Sequence, residues 1–385
     1  MINRLITSEL KLLMKEYPVV TITGPRQAGK TTLAKSTYPD YTYCNLESPE
    51  IRALAQKDAK AFFSQFKPPL IIDEIQHVPE LLSYIQVMTD EKKENGLFII
   101  TGSQQLLLNE KISQSLAGRT ALLTLLPLSI KELKMHGVQM DRDQYIFKGF
   151  LPRIYDQNQD STRAYRNYFQ TYIERDLRQL IQIKDLSLFE VFLKLLAGRV
   201  GQLINLSMLA NEVGVSSKTL NEWLSILEAS YIVYRLRPYY ENFGKRMIKS
   251  SKIYFTDVGL LRYLLGINTE SQISRDPLFG QIFENLVIIE LLKHQLNKGE
   301  EPNLYFYRDS NHTEVDVIHQ AGRQLIPIEI KSAMTFNKNF VKGISYYQKL
   351  SPKATKGYVI YSGDLVFDSD DYSVLNFVDV YKIFS

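Results

Sequence analysis

The octapeptide Gly24-Pro25-Arg26-Gln27-Ala28-Gly29-Lys30-Thr31 constrains this chain more than any other stretch. It satisfies Gly-x4-Gly-Lys-[Ser/Thr] at each defined position. The apolar run Val19–Thr23 precedes it, and the helix-compatible Thr32-Leu33-Ala34-Lys35 follows. Strand, glycine loop and helix in that order make a cradle for phosphate. The glycines let backbone N–H groups turn inward. The helix starting near Gly29 presents its positive end to the same anion. Gly24, Pro25, Arg26, Gln27, Ala28, Gly29, Lys30, Thr31 and Thr32 are therefore the candidate nucleotide-binding residues. Lys30 is placed for the β- and γ-phosphates and Thr31 for Mg2+. Arg26 reads as a solvated side chain.

Such a site needs a second strand that ends in acid, and Leu70-Ile71-Ile72-Asp73-Glu74 supplies one. Asp73 is the candidate for the Mg2+ shell. Glu74 is the candidate for polarising the attacking water, and the Asp-Glu pair points to hydrolysis rather than binding alone. A third strand ends in Ile99-Ile100-Thr101-Gly102-Ser103-Gln104, which makes Ser103 or Gln104 the candidate γ-phosphate sensor. Arg119, in Leu116-Ala117-Gly118-Arg119, is the candidate arginine finger, in cis or from a neighbouring subunit; a surface salt bridge is the competing reading. No Asn-Lys-x-Asp element is present to read guanine, which favours ATP over GTP.

At 385 residues the chain is long enough for two or three domains. Its 45% apolar and 23% charged content is that of a globular protein. One cysteine, Cys44, rules out an internal disulfide and a multi-cysteine zinc site. The charged start and the lack of any run of 18 apolar residues point away from export and from a spanning helix, toward a reducing, cytoplasmic setting. Residues 161–265 carry 15 Lys+Arg against 9 Asp+Glu, while the whole chain is only +4. Pattern and punctuation divide the chain into 1–135 (strands alternating with helices, a parallel sheet), 136–265 (mostly helical) and 266–385 (alternating again).

Within the middle part, 205–228 reads as a helix-turn-helix. Ser207 caps a first helix, Gly214 turns, and Ser216 caps a second whose inner face is Leu220, Trp223, Leu224 and Leu227. A basic hairpin near 231–255 follows, with Arg235, Arg237, Lys245, Arg246, Lys249 and Lys252, completing a winged-helix pattern. Its functional reading is DNA contact through Lys218, Thr219, Asn221, Glu222, Ser225 and the wing. The competing reading is a protein–protein or interdomain module.

The last part holds Glu284, Asp316, Glu329 and Lys331. Glu329 and Lys331 share one face of a strand, and Val315-Asp316-Val317 can pair beside it. The spacing Asp-x12-Glu-x-Lys, in the order helix, three strands, helix, strand, is that of the PD-(D/E)xK nucleases, where carboxylates hold Mg2+ and a lysine orients water. A solvated Glu–Lys pair is the competing reading. A strand is expected near 375–381. His294, His312 and His319 lack metal-ligand spacing and read as scattered surface residues.

These pieces together resemble a large prokaryotic family of AAA-type ATPases that carry a C-terminal domain of unknown function. The matching stretches are Gly24–Thr32, Leu70–Gln76, Thr101–Gln104, Leu116–Arg119, Gly149–Pro152, Tyr172–Leu177, Phe255–Leu260, Phe283–Asn285 and Glu314–Asp316. Phe150 stands where relatives usually have a second glycine. The resemblance implies a P-loop NTPase core with a parallel sheet, then a winged helix, then a small α/β restriction-endonuclease-like end. The expectation is an ATPase, with ATP and Mg2+, whose nucleotide state moves the C-terminal module. An ATP-regulated endonuclease and a switch that binds a partner protein are the alternatives. DNA, a protein partner and oligomerisation all remain open as interactions, and no membrane is expected.

Overall fold

The computed structural model describes residues 2–102, 115–171, 186–240 and 250–384. Its first sheet has five strands: β1 (Val19–Thr23), β2 (Thr42–Asn45), β3 (Leu70–Asp73), β4 (Phe98–Thr101) and β5 (Thr120–Thr124). They run in the order β2-β3-β4-β1-β5, every neighbour parallel. β1, β3 and β4 are buried at every position, because helices cover both faces. Val19, Ile72, Phe98 and Ile100 pack toward the helices Pro49–Lys57, Ala59–Gln65 and Leu81–Lys92. Val20, Ile22, Ile71 and Ile99 pack toward the helices Thr7–Glu16 and Lys30–Thr37. The placing of β4 between β1 and β3 sets its tip between the glycine loop and Asp73.

The second sheet has eight strands: β6 (Val233–Pro238), β7 (Lys252–Phe255), β8 (Leu304–Arg308), β9 (Glu314–Ala321), β10 (Gln324–Lys331), β11 (Gly357–Tyr361), β12 (Phe367–Asp368) and β13 (Tyr372–Asn376). Their order is β12-β13-β11-β10-β9-β8-β6-β7. β6 and β7 form the expected antiparallel hairpin. β6 also pairs in parallel with β8, Arg237 opposite Tyr305 and Pro238 opposite Phe306. The hairpin is thus one edge of the C-terminal sheet rather than a free wing. One apolar core runs from Leu126 to Ile383 and includes the helix Phe279–Asn297, so 136–265 and 266–385 share both sheet and core.

Two local expectations change. Asn205, not Ser207, caps the helix Leu206–Val213, its side chain accepting from Met208 N. Gly214 follows in the left-handed region at φ 81°, and Ser216 caps the helix Ser217–Ala229 as expected. The strand expected near 375–381 stops at Asn376, whose side-chain oxygen accepts from Val378 N at 3.0 Å. That local bond turns the chain into 3-10 helix over Phe377–Phe384. Among the described residues no helix is long and apolar enough to cross a membrane.

Candidate functional site

The glycine loop leaves β1 with Gly24 at φ 143°. A Cβ there would strike the backbone carbonyl oxygen of Leu125 at the end of β5, so only glycine fits. Gly29, at φ 95°, is the N-cap of the helix Lys30–Thr37. Arg4, which no sequence motif marks, braces the loop from behind. Its guanidinium donates to the Ala28 carbonyl at 2.7 Å, the Leu126 carbonyl at 2.6 Å and the fully buried Glu132 at 3.0 Å.

Lys30 Nζ donates to the carbonyls of Gly24 and Pro25, both at 2.9 Å. Burial pushes its pKa down to about 8, against the pull of Glu74 and Asp73. An ammonium held at the mouth of a phosphate cradle by two carbonyls is poised to exchange them for anionic oxygens. Thr31 Oγ1 donates to both Asp73 oxygens at 3.0 Å, and Tyr43 OH donates to Asp73 Oδ2 at 3.0 Å. Burial, then the Asp73 charge, raises the Tyr43 phenol far above its usual range. Hard oxygen donors from Thr31 and Asp73, already in contact, fit a Mg2+ bound with nucleotide.

Glu74 follows β3 in the left-handed region at φ 57°, which costs about 1 kcal/mol in a non-glycine residue and marks a constrained functional turn. Its backbone N–H donates to Thr101 Oγ1 at 3.3 Å, its carboxylate accepts from Gln76, and Thr101 donates in turn to Asp73. Thr101 is the polar group that the β4 tip brings to the site. Ser103 and Gln104, the sensor candidates, lie outside the described residues, as does the Tyr172–Leu177 stretch.

The cleft over the loop measures about 870 Å³. Arg26, Gln27, Gly29, Lys30, Thr31, Thr32, Glu47, Arg52, Glu74 and His77 line one side. Pro152, Arg153, Asp156 and Gln157 line it from beyond the first sheet. This second wall is anchored. Phe150 N donates to Asp257 Oδ2 at 3.2 Å and to Tyr165 OH at 3.0 Å, and Tyr165 OH donates to Asp257 at 2.8 Å. Phe150 itself is buried, with the Lys293 ammonium 3.9 Å from its ring. Phe150 therefore fills a packed position. Tyr231, just before β6, reaches Thr23 at the end of β1, hydroxyl to hydroxyl, at 2.8 Å.

Arg119 is not brought to this cleft. It sits at the start of β5, its carbonyl accepting from Val19 N at the start of β1. The phosphates belong at the opposite, carboxyl end of these parallel strands. Four further residues at ~3.3 Å each separate the two ends by about 13 Å. Its guanidinium instead clasps Asp90 at 2.6 and 2.9 Å, which excludes a finger role on its own subunit's nucleotide.

The C-terminal quartet does converge. Lys331 Nζ is 3.0 Å from Asp316 and 2.5 Å from Glu329, and Ile330 N donates to Asp316 at 2.7 Å. Glu284 is held by Lys252 at 3.2 Å and Tyr254 OH at 2.5 Å. Lys252 and Tyr254, both on β7, were not anticipated in this role. Burial, then the Asp316 charge, pushes Glu329 well up; burial raises Glu284 as well. Burial opposes ionisation of Asp316 too, but Lys331 and Lys252 outweigh it and hold its pKa below normal. Among the described residues no group of three His, Cys, Asp or Glu is arranged to hold a metal ion. As they stand, an ammonium group takes one oxygen of each carboxylate: Lys252 that of Glu284, and Lys331 those of Asp316 and Glu329. Of the histidines, His312 is exposed, whereas His294 and His319 are at least partly buried and flank the Phe384 ring at 4.6 and 4.8 Å.

Three family models match successive stretches of the chain. Residues 16–134 match the model of an AAA domain, 139–271 a domain of unknown function (DUF8612), and 279–380 another (DUF4143). The uncharacterized protein Rv2008c of Mycobacterium tuberculosis is 32% identical over 335 residues, 85% of this chain and 73% of that one. An uncharacterized protein of Haemophilus influenzae is 27% identical over 71% of this chain and 74% of its own. Among solved structures, the Walker-type ATPase PABY2304 of Pyrococcus abyssi is 16% identical, covers 67% of this chain and 94% of that one, and gives a TM-score of 0.46. The chain belongs to the family of Rv2008c: a P-loop ATPase-like domain of the AAA type followed by two domains of unknown function.

Proposed function

We propose that this chain is a Mg2+-dependent ATPase whose nucleotide state is relayed to the module formed by 136–385. The observation that carries the reading is the joint placement of Lys30, Thr31 and Glu74 in one cleft, with Asp73 bonded to Thr31, and with the other wall, Pro152 to Gln157, supplied by the module. Lys30 neutralises the transferred phosphate, and Thr31 and Asp73 hold Mg2+, which supplies charge stabilisation across the phosphates. Glu74 orients and deprotonates the attacking water. Arg153, facing the loop from the second wall, takes the role first sought in Arg119 and meets the γ-phosphate in cis. Phe150 ties this wall to Asp257, at the end of β7, and Tyr231 ties β6 to β1. Occupancy of the cleft thus bears on the hairpin edge of the second sheet.

Division into 1–135, 136–265 and 266–385 is proposed as the functional layout, with a winged helix in the second part and a restriction-endonuclease-like sheet in the third. The internal use of the hairpin favours an interdomain role over DNA contact. Arg235 lies 3.2 Å from Glu228, and Lys252 is buried. The helix face Lys218, Asn221, Glu222 and Ser225 is exposed, but offers one cation against one acid. A protein-binding switch is accordingly preferred to an ATP-regulated endonuclease.

The test is ATP hydrolysis with and without duplex DNA, by the parent and by Lys30→Ala. Mg2+-dependent turnover, unchanged by DNA and lost in Lys30→Ala, is the expected result. Absence of turnover in the parent, or turnover that survives Lys30→Ala, overturns the ATPase. DNA stimulation overturns the preference for an interdomain hairpin.

A further inference from the structure

The acid cluster of the second sheet carries its own cation. We infer that Lys252 takes the place of a divalent ion among these acids, and that the cluster acts as a metal-free ion-pair lock between β7 and the strands β8 to β10. The inference does not depend on the nucleotide reading, because none of these residues lines the cleft.

Lys252 enters from β7, at the far edge of the sheet, and only 3% of its side chain is exposed. Its ammonium lies 2.5 Å from Glu314 Oε1 and 3.2 Å from Glu284 Oε1. Tyr254 lies two residues on, on the same face of the strand, and fills the next position around the same Glu284 oxygen at 2.5 Å. Lys331 occupies Asp316 and Glu329, and Arg308 takes the second Glu314 oxygen at 3.1 Å.

Charge decides between the tenants. Four carboxylates, Glu284, Glu314, Asp316 and Glu329, face three cations, Lys252, Lys331 and Arg308. A divalent ion added to that set overcompensates it, and Glu314 has no oxygen left for it, because Lys252 and Arg308 take one each. Binding through Glu314 Oε1 or Glu284 Oε1 requires evicting Lys252. The alternative surroundings of that ammonium are the Phe306 ring, 5.6 Å away, and apolar core. An unpaired buried ammonium is more costly than the ion pairs it leaves. The lock therefore holds β7 in register, and β7 runs directly into Thr256 and Asp257, the anchor of the Phe150 loop.

The probe is Mn2+, titrated calorimetrically into the full-length chain without nucleotide, with thermal melting in parallel. Thr31→Ala is present throughout to silence the P-loop. This background is expected to bind no Mn2+ with a stoichiometry near one. Adding Lys252→Met is expected to create a site at least tenfold tighter than anything in the background, and to raise the melting temperature with Mn2+. Adding Asp316→Asn to that variant abolishes both effects. Lys252→Arg, which keeps the charge, gains nothing. A one-to-one Mn2+ site in the Thr31→Ala background, or a folded Lys252→Met protein that gains none, overturns the inference. If Lys252→Met does not fold, the background titration and Lys252→Arg decide it alone.

Discussion

Lys30 shows how burial tunes a single side chain. With its pKa lowered to about 8, the group gives up its proton well below the pH at which an exposed lysine does. Bound phosphates favour the ammonium, so ATP binding at pH 8.5 takes up to about one proton. Calorimetry in buffers of different ionisation enthalpy measures that uptake, and Lys30→Arg, whose guanidinium stays charged, is expected to show none. The same shift carries a sign for stability. The unfolded chain holds this proton up to its ordinary lysine pKa while the folded chain releases it near 8, so this group makes folding more favourable as pH rises between the two. Arg153 makes a second prediction. Arg153→Ala is expected to lower ATP affinity about tenfold and turnover by 10²-fold or more, while leaving ADP affinity unchanged, if it meets the γ-phosphate. Equal effects on ATP and ADP in a binding titration would show a role in the wall alone. Lys30, Thr31, Asp73 and Glu74 were legible as one cluster because the motif and the acid-ended strand place them locally. Arg119 was misleading because its neighbourhood in sequence says nothing about which end of a parallel strand it occupies. Arg153 was silent because its place at the cleft depends on the fold and not on its neighbours in sequence.

Elements were legible where periodicity was strong. Strands β1, β3 and β4 lie within two residues of the runs that marked them, since short apolar runs between turns leave few alternatives. Caps and terminations were harder, because side-chain bonds of one residue decide them. Asn205→Ala is expected to destabilise the helix Leu206–Val213 by about 1 kcal/mol, read as faster amide exchange there and no change in the helix Lys30–Thr37. The pairing of β6 with β8 was not legible at all. It joins residues nearly 70 apart, and each strand alone reads as half of a local hairpin. Arg4 belongs to this scale too, since it ties the glycine loop, the exit of β5 and the cap of the helix Ile130–Met135 together. Arg4→Ala leaves Glu132 buried without its cation and is expected to cost about 3 kcal/mol in denaturant unfolding. An effect under about 0.5 kcal/mol would mean that solvent reaches Glu132.

For the molecule as a whole, the nucleotide cleft is shared and the second sheet is shared. The P-loop sheet supplies the chemistry, and the residues after it supply the opposite wall, anchored at Asp257 beside the hairpin edge. Composition and motif order gave the sequence of modules, but not that the last two share one core, because an interface made by scattered apolar residues has no local signature. This arrangement predicts that ATP with Mg2+ slows amide exchange in β7 and around Phe150 as well as in the glycine loop. Protection confined to the loop would mean that the cleft is read by the first sheet alone. The most direct test of the central claim is single-site: ATP binding and ATP turnover by Glu74→Gln with saturating Mg2+. The account predicts affinity within a few-fold of the parent and turnover reduced at least 10²-fold. Turnover that persists in Glu74→Gln would contradict it.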